Sequence, residues 1–192
     1  MQTRQLIAGV LLVSGLCFRM REAAASLFEP VSDSQLVCET TDVVHGQVSD
    51  VQAAWDEEHS AIWTTATVQV GEAIRGGMAS NAAIKVKEVG GTVEGYTIKA
   101  EGFPSFRAGD EVVLLLQPWD DGSGTYRVWG YGRGMFSVSR AAGQAPGARR
   151  YDVVESGRAT MFTDRIPPTL PLDALHRELG ALSRACKPGG RP

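Results

Sequence analysis

Histidine and cysteine are scarce in this sequence, with three of each among 192 residues. None of the histidines, His45, His59 or His176, has a second ligand at a spacing such as H-x-x-x-H, so no metal ligand is read from local spacing and no cofactor is assigned. A G-x-S-x-G elbow is also missing. Nucleophilic catalysis needs a serine or cysteine with a histidine base and an orienting acid; with no such set in view, no catalytic residue is assigned and the chain reads as a non-enzyme. A metal-dependent hydrolase stays as a residual alternative. Positive charge is sparse too: the formal net charge is −3. With no basic patch to meet phosphates, nucleic-acid binding is not expected.

No apolar run is long enough for an ordinary transmembrane helix. The longest, Leu6 to Phe18, follows Arg4 and precedes Ala23-Ala24-Ala25, the layout of an export signal with an A-x-A site. Residues 1–25 are therefore expected to be removed, which leaves no integral anchor and places the mature chain in the periplasm or outside the cell. Arg4, Arg19 and Arg21 leave with a single acid, Glu22, so the net charge moves from −3 to −5. Two cysteines remain, Cys38 and Cys186. In an exported chain an even pair predicts a disulfide, here closing nearly the whole mature sequence.

What is present is a series of short strand patterns separated by glycine-rich turns. Val112-Val113-Leu114-Leu115-Leu116, bounded by Gly109-Asp110 and Pro118, cannot place all five aliphatic side chains on one side of a strand, so both faces must be covered. Ile62 to Val70 alternates, with Trp63 on the polar phase. Leu36-Val37-Cys38 and Asp42 to Val48 read as early strands, with a bulge near Ser49-Asp50, and Gln52 to Ser60 as an exposed loop. Further strands are expected at Ala82–Lys87, Thr125–Trp129, Met135–Val138 and Tyr151–Glu155. The tail changes period: Leu172, Leu175, Leu179, Leu182 and Cys186 form one stripe of an amphipathic helix. The expected organisation is a polar lead-in over 26–35, a β domain over 36–156, and a linker with a C-terminal amphipathic helix over 157–192. The fold class is all-β, a small antiparallel barrel or a sandwich.

Val43 to Val48 (Val-x-His-Gly-x-Val), Ile62 to Val70 (Ile-Trp-Thr-x-x-x-Val-x-Val), Ile74-Arg75-Gly76, Gly90-Gly91, Phe106 to Leu116 and Gly132 to Phe136 together resemble a group of exported bacterial OB-fold-like proteins. Their early hairpin and Ile-Arg-Gly turn are similar to the barrel of netrin-like modules and tissue inhibitors of metalloproteinases. The resemblance covers Leu36 to about Arg140 and implies an OB-like barrel that works by binding, with an exported protease as one partner class. The zinc-capping mechanism of those inhibitors is not implied. It needs a cysteine at the mature N-terminus, whereas Cys38 lies 13 positions into the expected mature chain.

Other loops resemble ion sites only in composition. Asp56-Glu57-Glu58-His59 reads as a solvated acidic loop, Asp120 to Gly124 as a hairpin turn, and Gly130 to Gly134 as a turn without a helix N-terminus behind it. The remaining candidate is aromatic. Among Trp55, Trp63, Trp119, Tyr126, Trp129 and Tyr131, the set Trp55, Trp63 and Trp129 forms a possible exposed binding face, for a protein partner or alternatively for a glycan or small ligand. The competing reading is that a second sheet or the tail helix covers these rings.

Overall fold

The computed structural model describes residues 31–140, 152–156, 166 and 169–187. The expected export signal over 1–25 and part of the expected linker over 157–192 lie outside them. In chain order the elements are α1 (Asp33–Glu39), β1 (Asp42–Trp55), β2 (Ile62–Arg75), β3 (Ala83–Val89), β4 (Gly91–Val93), β5 (Tyr96–Ile98), β6 (Glu111–Pro118), β7 (Tyr126–Val128), β8 (Met135–Arg140), β9 (Asp152–Ser156), β10 (Thr169–Pro171) and α2 (Leu172–Ala185). A 3-10 turn, Tyr131–Gly134, precedes β8.

The aliphatic run becomes β6, and all five of its side chains are buried. Two separate cores cover it. Val112, Leu114 and Leu116 face a barrel interior shared with Val44, Val68 and Val86. Val113 and Leu115 face a second layer with Phe136, Leu36 and the α2 leucines Leu175, Leu179 and Leu182. Burying one such side chain stabilises by roughly 1.5 to 3 kcal/mol, so this strand anchors both layers at once.

The barrel closes in the order β1-β2-β3-β7-β6-β1. A barrel forms, not a sandwich. One seam departs from the antiparallel expectation: β3 meets β7 in parallel through the single pair Val86↔Tyr126. There Glu88, buried on the inward face of β3, accepts the Val128 N–H at 2.5 Å. Burial pushes its pKa up to about 7, against the lowering effects of that hydrogen bond and of Arg127. The opposite half of β6 pairs with β8, which continues through β9 to β10. The strand expected near Tyr151–Glu155 is thus present as Asp152–Ser156, between β8 and β10.

Two local expectations are corrected. Leu36-Val37-Cys38 lies in a helix, α1, and not in a strand. Ser32 caps it, accepting the Gln35 N–H at 3.0 Å, and the three apolar side chains are buried beneath it. The loop expected over Gln52–Ser60 is present but shorter, because Gln52 to Trp55 belong to β1, which runs to Trp55 in register with Ile62. Only Asp56 to Ala61 turns, with Asp56 accepting both the Ser60 N–H and hydroxyl at 2.7 Å. The register slip near Ser49-Asp50 occurs, between Val48 and Asp50. Gly46 is required where β1 crosses β2, since a Cβ there would collide with the Gln69 carbonyl.

The tail helix docks as its stripe dictates, with Leu175, Leu179 and Leu182 fully buried. Cys38 in α1 and Cys186 at the end of α2 form a disulfide, with Cα atoms 5.3 Å apart. Arg75 adds a polar tie, donating to the Ser183 carbonyl and hydroxyl. No helix among the described residues is long and apolar enough to cross a membrane.

Candidate binding face and a histidine–carboxylate cluster

Alternation along β2 sends Ala66, Val68 and Val70 into the barrel, buries Ile62 on the same phase, and leaves Trp63 on the outer wall. On that wall the rings and cations interleave. Lys87 Nζ lies 4.9 Å from the Trp63 ring centroid, and Trp63 meets Trp119 edge to face at 5.8 Å. Arg127 sits between two indoles, 5.1 Å from Trp119 and 5.0 Å from Trp129. Two of the indoles are fixed by hydrogen bonds: Trp119 Nε1 donates to the Lys87 carbonyl at 3.1 Å and Trp129 Nε1 to Glu39 at 3.2 Å. The row is half-buried, and its Trp129 end packs against the second core of Leu36, Phe136 and the α2 leucines.

Trp63 and Trp129 therefore share a face, bridged by Trp119 and Arg127. Trp55 does not join them. It pairs with Ile62 in the β1–β2 ladder, and cross-strand partners point the same way, so its ring lies on the side opposite Trp63. There it stacks on His59 at 6.1 Å and meets Tyr96 at 6.0 Å. Tyr96 is 66% exposed. Val51 and Ala53, which precede Trp55 on the same face of β1, line an open groove of about 590 Å³ beside the β4–β5 hairpin.

A second cluster joins residues that no local spacing connects. His45 in β1 is the ladder partner of Glu72 in β2, and α2 lays His176 against them. The two imidazoles meet edge to face at 5.0 Å. One ligand atom from each of His45, Glu72 and His176 lies within 4.8 Å of the others. His45 Nε2 is 2.8 Å from Glu111 Oε1, and His176 Nδ1 is 3.5 Å from Glu72 Oε2. Burial, followed by the neighbouring His45, lowers the His176 pKa against the pull of Glu72 and Asp173, so this imidazole favours its neutral form.

No family model, curated protein or solved structure matches this chain.

The acidic loops hold no comparable constellation. Asp56 is occupied by Ser60, whose hydroxyl hydrogen bond is the main cause of its lowered pKa. Asp121 is likewise engaged with Ser123 in its own turn. Arg133, in the glycine-rich turn, reaches back to the Val31 carbonyl at 2.6 Å. Sequence reading missed Lys87 and Arg127 as members of the aromatic row. The available signal was their phase, since Arg127 lies two residues before Trp129 and shares its face of the strand. For Glu72 and His176 the signal is tertiary: only the β1–β2 register and the docking of α2 bring them to His45.

Proposed function

We propose that the chain is an exported, non-enzymatic binding module that engages a protein at the cell envelope or outside it through the row Lys87, Trp63, Trp119, Arg127 and Trp129. The observation that carries this reading is the pair of cation–aromatic contacts holding Arg127 between Trp119 and Trp129. Tryptophan and arginine are the side chains that most often anchor protein interfaces. Rings already locked by neighbours lose little freedom when a partner arrives. Two cations on an aromatic wall suit a partner offering carboxylates, and the OB-like resemblance keeps an exported protease among the partner classes. Export is supported by the signal-like N-terminus and by the disulfide, a bond that persists in oxidising compartments.

The test is capture of partners from exported and envelope fractions by the full chain, compared with Trp63→Ala and Tyr96→Ala variants of unchanged circular dichroism. A partner retained by the native chain and by Tyr96→Ala, but lost with Trp63→Ala, supports the reading. Partners held equally by all three would overturn it.

The glycan reading is favoured by a different observation. Trp55 and Tyr96 lie beside the residues lining the groove at β4–β5, and aromatic rings next to an open groove of mixed polarity suit a sugar ring. Glycan addition should then quench tryptophan fluorescence in the native chain and not in Trp55→Ala.

A further inference from the structure

The geometry points to a divalent transition-metal site of the zinc class formed by His45, Glu72 and His176, with Glu111 holding the His45 ring, that ties α2 to the barrel. This inference is independent of the aromatic row.

The ligand chemistry selects the ion. Two imidazoles and one carboxylate suit zinc and its neighbours, whereas calcium and magnesium prefer all-oxygen shells. Two histidines, one acid and a free position form a ligand set zinc commonly accepts. The three side chains come from β1, β2 and α2. Their ligand atoms are within 4.8 Å of one another, and tetrahedral zinc with bonds near 2.0 Å needs about 3.3 Å between ligands. Glu72 is the side chain able to close that gap, because it is 61% exposed and free to rotate, while the imidazoles are about one-fifth exposed.

Two further features favour an ion over a purely structural contact. Glu111 lies 2.8 Å from His45 Nε2, the arrangement in which a carboxylate fixes a ligating imidazole and leaves Nδ1 with its lone pair. His176 has no good protein partner of its own. Its Nδ1 is 3.5 Å from Glu72, longer than an ordinary hydrogen bond. A metal bond at Nδ1 gives that nitrogen the close partner that Glu72 does not supply as a hydrogen bond.

The experiment titrates the metal-stripped full chain with Zn²⁺, following heat of binding and thermal midpoint, and repeats it with Co²⁺ for its visible d–d absorption. One equivalent should bind and raise the midpoint. Glu72→Gln and His176→Ala should abolish the saturable binding and the Co²⁺ spectrum, and Glu111→Gln should weaken affinity by about 10- to 100-fold. His59→Ala should bind as the native chain does. Because Glu72→Gln changes an exposed side chain, its loss of binding separates ligation from misfolding. Absence of saturable binding in the native chain, or unchanged binding in both Glu72→Gln and His176→Ala, overturns the site.

Discussion

Glu88 and Val128 are joined inside the barrel wall, the valine amide donating to the buried carboxylate across the parallel seam between β3 and β7. The carboxyl group titrates at about 7 in the folded chain against 4.5 as its ordinary value. Between those values the folded state holds more protons than the unfolded one, so this group's contribution to stability falls as pH rises through the window and levels off above it. The loss is on the order of 3 kcal/mol. Glu88→Gln keeps an acceptor for Val128 and cannot ionise. Urea denaturation should find it close to the native chain near pH 4.5 and more stable near pH 8. The same pH dependence in both proteins would refute the assignment.

The disulfide closes a stretch with a sequence separation of 148. On the chain-entropy account such a loop stabilises by about 5 kcal/mol. Reduction, or the double change Cys38→Ala and Cys186→Ala, should lower the denaturation midpoint accordingly, with hydrogen exchange in α2 rising first. A midpoint unchanged by reductant would mean that the leucine stripe alone holds the helix.

Arg127→Ala removes one cation from two indole faces and should cost about 1 to 2 kcal/mol. The released rings of Trp119 and Trp129 should become more accessible to acrylamide quenching. Arg127→Lys should recover only part of the effect, since an ammonium lacks the planar surface that lies between both rings.

Gly46→Ala should destabilise the barrel by more than about 1 kcal/mol, because its methyl meets backbone, the Gln69 carbonyl, and not a side chain that can swing away. Gly77→Ala, where nothing approaches a Cβ, is the control and should leave the midpoint nearly unchanged. Equal effects at the two positions in thermal melts would contradict the close approach of β1 and β2.

The barrel and tail helix were legible because their signals are local. Val112 to Leu116 reported two covered faces directly, and the spacing from Leu172 to Leu182 reported one helix stripe. The α1 helix was missed although Ser32 stands three residues before Gln35, the spacing of a capping box. The apolar triplet after it fits a strand equally well, and only the second core decides. For Trp55 the difficulty was parity: the slip at Val48/Asp50 and the length of β1 determine which side its ring takes. The histidine cluster had no sequence signature because its members meet only after a hairpin has registered and a distant helix has docked.

Because the bridge joins the helix before β1 to the helix after β10, residues 38 to 186 form a closed covalent circuit. Tension applied from outside that circuit, by whatever the flanking segments are attached to, passes through two sulfur atoms and leaves the strands unloaded. In its oxidised form the barrel is mechanically bypassed, and pulling would unzip it only after a reductant has cut the shortcut.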